Sequence, residues 1–131
     1  FIDKIIFLIC VAVLFSLSAV CMAAESSKGT GKLRHVVAFK FKESASEADI
    51  KKVVESFRAL KKSIPQIKGF EYGTNNSPEG FNKGTTHAFI LTFDSEKARD
   101  EYLVHPEHKK FGEGLGSVLA DVFVIDFWAH E

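Results

Sequence analysis

The chain reads as one α+β domain with the element order βαββαβ, two copies of which close their sheets into a dimeric α+β barrel. Three observations predict this. Four segments alternate apolar and polar residues with the period of a strand, and helical spacing separates the first from the second and the third from the fourth. Strands one, three and four are apolar on both faces, as where Val36 and Ala38 oppose Val37 and Phe39. A sheet with helices on one face would leave the other set in water, a larger apolar patch than monomers usually show, so a second sheet is expected to cover it.

The elements follow in order. Lys4 precedes an almost unbroken apolar run from Ile5 to Val20, and the small residues Ala23 and Ala24 come after it. Positive residue, apolar stretch and small residues are the parts of an export signal, expected over residues 1–24. At roughly 16 residues the run is shorter than the about 20 needed to cross a bilayer as a helix, so membrane contact is expected only while this segment is uncleaved. The competing reading is a retained anchor. Cleavage after Ala23 or Ala24 removes both cysteines, Cys10 and Cys21, and leaves a secreted or periplasmic chain that rests on its core without disulfides. Residues 25–32 (ESSKGTGK) read as a flexible leader, and 33–131 as the domain.

Strand one runs from Leu33 to Phe41, with Leu33, His35, Val37, Phe39 and Phe41 on one face. Ser46 and Asp49 form a capping-box pattern, with Asp where Glu or Gln is usual. Ile50, Val53, Val54, Phe57, Leu60 and Ile64 then recur at helical spacing until Pro65. Strand two spans about Ile67 to Thr74 and contains Phe70 and Tyr72. A loop of turn formers, Asn75 to Gly84, leads to strand three, Thr86 to Phe93, with His87, Phe89, Leu91 and Phe93 on one face. Ser95 caps a helix through Tyr102 and Leu103. Pro106 suits the first turn of a further helix towards Leu119, which Gly112, Gly114 and Gly116 weaken. Asp121 to Trp128 is the last strand. The order is the ferredoxin-like pattern.

Lys+Arg and Asp+Glu both number 17, so no basic excess exists to neutralise phosphates and nucleic acid is excluded as a partner. The 13 phenylalanines give the domain a large apolar payload. Chemistry-bearing residues concentrate in Tyr102-Leu-Val-His105-Pro-Glu-His108. A histidine there can act as a general base near neutral pH, or its imidazole can simply satisfy the backbone of a helix start. Pro106 breaks the register between the two histidines and no third ligand accompanies them, so no metal site is expected. His35 and His87 share an apolar strand face and read either as the polar floor of a cavity or as hydrogen-bonded core histidines. Strand packing is the default role of Tyr72, and Asp126 either lies inward or is wetted at the dimer edge. Gly112-x-Gly114-x-Gly116 lacks the strand that a dinucleotide loop requires.

Arg34-His-Val-Val-Ala-Phe-Lys-Phe-Lys42, the Thr86-His87 pair, and Tyr102-x-x-His105-Pro-x-His108 with Phe111-Gly112 resemble the stress-responsive dimeric A/B-barrel (Dabb) family from roughly Leu33 to Trp128. That family includes plant stress-induced proteins, many bacterial proteins and a plant polyketide cyclase. The resemblance implies a homodimer that uses no cofactor and takes a small apolar or aromatic ligand. In cyclase-like members the histidine matching His108 is the base, the tyrosine matching Tyr102 assists, and those matching His35 and His87 line the pocket. Phe57 stands where the cyclase has a pocket tyrosine, and with Tyr72 completes the expected ligand-binding set. Two functions are therefore expected as alternatives. One is a stress-related or small-molecule-binding homodimer; the other is a cyclase- or lyase-like enzyme that abstracts a proton beside a carbonyl.

Overall fold

The computed structural model describes residues 31–130; the expected signal and all but the last two residues of the leader lie outside them. The elements are β1 (Leu33–Phe41), α1 (Glu47–Ser63), β2 (Gly69–Thr74), β3 (His87–Phe93), α2 (Glu96–Leu103), α3 (Pro106–Glu113) and β4 (Leu119–Trp128). They form one sheet in the order β2-β3-β1-β4 with every neighbouring pair antiparallel, the ferredoxin-like arrangement.

Local sequence accounts for the helices. Ser46 Oγ accepts from Asp49 N–H at 3.1 Å while the Asp49 carboxylate accepts from Ser46 N–H at 3.0 Å, a complete capping box at the head of α1. Glu47 and Asp49 in the first turn and Lys61 and Lys62 in the last complement the helix dipole. Ser95 caps α2 through Ala98 N–H. α3 begins on Pro106 and stops at Glu113, short of Leu119, because Gly114 caps it within a glycine-rich stretch. β4 starts at Leu119, two residues before the alternation predicts, across a register shift at Lys40/Phe41.

All three helices cover one face of the sheet. On that face Leu33, Val37 and Phe39 of β1 and Phe89, Leu91 and Phe93 of β3 are buried against Val53, Phe57 and Leu60 of α1. The core is largely phenylalanine: Phe57 packs on Phe39, Phe70, Phe89 and Phe111 with ring centroids 4.7 to 5.8 Å apart. Among the described residues no helix lies on the opposite face. Register aligns Ile90, Val36 and Ile125 across it in one row, and Ala88, Ala38 and Phe123 in the next. Phe123, Ile125 and Phe127 remain 58, 49 and 47% exposed. Both faces of the sheet are thus apolar, as the sequence predicts.

The start of β1 runs beside the end of β4. Leu33 pairs with Trp128, and Ala129 N–H donates to the Lys32 carbonyl at 3.0 Å. At Gly31 an added Cβ would stand 1.9 Å from the Ala129 carbonyl oxygen, so this approach admits only glycine.

Candidate functional site

The α2–α3 turn builds the densest polar group. Tyr102 lies on the inward side of α2 and is 1% exposed. The chain leaves the helix at Val104, and His105 caps α3, its Nδ1 accepting from Glu107 N–H at 3.2 Å. One of the two histidines therefore takes the backbone-satisfying role. The reversal carries His108 back over Tyr102, with ring centroids 4.3 Å apart. His108 Nδ1 stands 3.1 Å from the Leu103 carbonyl. A carbonyl can only accept, so this contact assigns the proton to Nδ1 and leaves the Nε2 lone pair free. Burial, and behind it the charges of His35 and His105, push the His108 pKa below the ordinary imidazole range against the pull of the Leu103 carbonyl. The ring is accordingly neutral and basic at Nε2 near pH 7. Burial, reinforced by the Asp126 charge, drives the Tyr102 hydroxyl pKa far up, so it stays protonated and can donate.

His35 stands behind this pair. Register sets it opposite Asp126 on the helix-covered face, and its Nδ1 lies 2.6 Å from Asp126 Oδ1. The other Asp126 oxygen accepts from Arg99 Nη1 at 2.9 Å. Arg99 is one turn before Tyr102 on α2, so the chain Arg99–Asp126–His35 ties the helix that carries Tyr102 to β4 and β1. The His35 ring meets Tyr102 edge-on at 5.7 Å. Neither His35 Nε2 nor Tyr102 Oη has a hydrogen-bond partner among the described residues. Yet the one fully buried, unpartnered side-chain polar atom among those residues is Gln66 Oε1. Both atoms therefore keep a trace of solvent access, in side chains that are 1% exposed at Tyr102 and 5% at His35. An acceptor at His108 Nε2 and a donor at Tyr102 Oη can hold a hydroxyl or carbonyl compound, or take a proton from one.

His87, Tyr72 and Phe57 lie elsewhere on the same face. His35 stands opposite Leu91, four residues along β3 from His87, a separation of about 13 Å at the rise of a strand. The two histidines thus share a face without sharing a floor. The His87 ring packs edge-on against Phe41 at 5.2 Å, its Nδ1 is 2.8 Å from Thr86 Oγ1, and burial pushes its pKa down. His87 and Tyr72 line a groove of about 470 Å³ along the flank of α1. Phe57 is 1% exposed at the centre of the aromatic core, between the two groups. A further groove of about 430 Å³ runs between α1 and α3 over Leu60, Phe111 and Leu115. Sequence reasoning left Asp126 undecided and passed over Arg99. The available signals were one acidic residue alternating with Val122 and Val124, and an arginine one turn from Tyr102.

Fold and site define a ferredoxin-like α+β domain with a histidine–tyrosine pair at the α2–α3 turn. Residues 33–129 match the family model described as the Stress responsive A/B Barrel Domain, Dabb. The chain belongs to this family. Stress-response A/B barrel domain-containing protein HS1 of Arabidopsis thaliana is 34% identical over 97 residues, which are 74% of this chain and 89% of that protein. Olivetolic acid cyclase of Cannabis sativa is 26% identical over 95 residues, 72% of this chain and 94% of its own. The crystal structure of At3g17210 from Arabidopsis thaliana superposes with a TM-score of 0.72 at 32% identity, covering 76% of this chain and 96% of that one. A ferredoxin-like structure from Bacteroides fragilis, described as dimeric, gives 0.61 at 26% identity and covers 76% and 97%.

Proposed function

We propose that this chain works as an exported homodimer whose protomers each bind a small apolar or aromatic compound, carrying a hydroxyl or carbonyl, against Tyr102 and His108. The observation that carries the binding is the packing of Tyr102 between His108, 4.3 Å away, and His35, 5.7 Å away, with Tyr102 Oη, His35 Nε2 and His108 Nε2 all without a partner among the described residues. The uncovered apolar sheet face and a related structure described as dimeric support the homodimer. Export rests on the order of charge, apolar run and small residues before Glu25. Titration with phenol, followed residue by residue in NMR spectra, should give saturable shifts centred on Leu103, Tyr102 and His108. Their absence there, with shifts elsewhere or none, would sink the binding reading. An intact N-terminus on protein recovered from its native cells would sink export.

A second reading, proton abstraction beside a carbonyl, is favoured by the Nδ1–H contact from His108 to the Leu103 carbonyl, which points a neutral Nε2 away from the backbone. In that reaction His108 takes the proton and the Tyr102 hydroxyl donates to the enolate oxygen. Exchange of the α-protons of phenylacetone in D₂O is the assay. Catalysis predicts a fall of about 10²-fold or more in His108→Ala. Equal rates in wild type and variant leave binding without catalysis.

A further inference from the structure

We propose that the groove between α1 and the β2–β3 hairpin is a second binding site, separate from His108, for a small aromatic carboxylate. Ile50 and Val54 of α1 line it together with Tyr72 of β2 and His87 of β3. Tyr72 is 46% exposed at the edge-strand end of the helix-bearing face. The Arg58 guanidinium carbon lies 5.1 Å from the centre of the Tyr72 ring. A guanidinium stacked on an aromatic face keeps its fork of N–H donors directed outward, the geometry that receives a carboxylate through two parallel hydrogen bonds.

The charges around the groove select the ligand. Among the described residues no carboxylate lies within ion-pair distance of Arg58, whereas Lys51, the other cation of the groove, is 3.8 Å from Glu55. Glu47 is eleven residues from Arg58, about 16 Å along a helix axis, and Glu55, one turn before Arg58, has its charge opposed by Lys51. One uncommitted cation, two glutamates and apolar walls match a single negative charge on a flat apolar body. A phosphate or a polyanion, which calls for several cations, would find one uncommitted arginine. A volume of about 470 Å³ suits a one-ring ligand with room to spare. His35, beside the His108 group, is set opposite Leu91, about 13 Å along β3 from His87, so a one-ring ligand cannot bridge the two sites.

The test is titration of the full chain with benzoate, with phenol as the uncharged control, read in ¹H–¹⁵N spectra and in the His87 ring resonances. Saturable shifts along residues 50–58 and at His87 are expected with benzoate. Arg58→Met should weaken benzoate binding at least fivefold, with Arg58→Lys intermediate and the phenol shifts unchanged. Tyr72→Leu, which keeps the cation and removes the ring, should weaken it as well. Benzoate shifts centred on Tyr102 and His108, a linear response without saturation, or equal benzoate affinity in wild type and Arg58→Met would each overturn the site. Phenol binding at Tyr102 is read in the same spectra, so this proposal and the His108 reading can fail independently.

Discussion

His35 Nδ1 and Asp126 Oδ1 meet at 2.6 Å across the β1–β4 pair, and the other Asp126 oxygen, accepting from Arg99 at 2.9 Å, joins this contact to the helix that carries Tyr102. The side chains are 6% and 21% exposed, so water cannot replace the lost partner at His35. Asp126→Ala is therefore expected to cost about 2–3 kcal/mol of unfolding free energy, the range for losing a part-buried hydrogen bond to a charged group. Arg99→Met leaves the His35–Asp126 contact in place and should cost about 1 kcal/mol or less. Urea denaturation of the two variants checks the order; equal costs would mean that Arg99 and His35 contribute alike.

Acid should weaken the fold through two imidazoles. Burial holds His108 and His87 below the ordinary value of 6.5, so the unfolded chain binds protons that the folded chain refuses. Stability is then full above pH 6.5, falls as pH drops from there, and stops falling on this account once both folded rings are charged. Denaturation midpoints between pH 7.5 and pH 5 give the slope. His108→Gln should flatten it, and an unchanged slope would assign the acid sensitivity elsewhere.

Phe57→Ala removes the hub of the aromatic core. With Phe39, Phe70, Phe89 and Phe111 all packed on it, the expected loss is about 4 kcal/mol. Phe57→Tyr tests the position differently. A hydroxyl introduced among phenylalanines is expected to cost about 1–3 kcal/mol unless it reaches water or a partner. Thermal unfolding distinguishes the cases, and a Tyr variant as stable as wild type would mean the ring edge reaches water or a polar partner.

Ile125→Lys and Phe123→Lys place a charge in the uncovered apolar rows of the sheet. Neither side chain is buried within the protomer, so both variants should keep the circular dichroism of the parent. A charge buried in the interface opposes pairing, and sedimentation at micromolar concentration should show monomers. Dimers of unchanged affinity would put the interface elsewhere.

The fold was legible because its signals are local. Ser46 and Asp49 announced the head of α1, Pro106 the head of α3, and the alternation in β1 and β3 their buried faces. The site was legible only in part, because it depends on register. Nothing in the spacing of His35 and His87 states that β1 and β3 pair so that His35 meets Leu91. Arg99, set among Glu96, Lys97, Asp100 and Glu101, reads as one more solvated charge until β4 brings Asp126 beneath it. His105 and His108 are three residues apart in chemically similar surroundings. Their different roles are decided by which backbone group each ring meets after Pro106 turns the chain.

The close approach of Gly31 to Ala129 has a topological consequence. The domain is entered and left at one point, so its chain is nearly a closed loop. A short glycine bridge could join Ala129 to Lys32, and new ends could be cut within Asn75–Gly84, where no strand is interrupted. Such a permutant would retain every strand pair and every side chain of both proposed sites, while β3, the inner strand that carries His87, would become the first element synthesised.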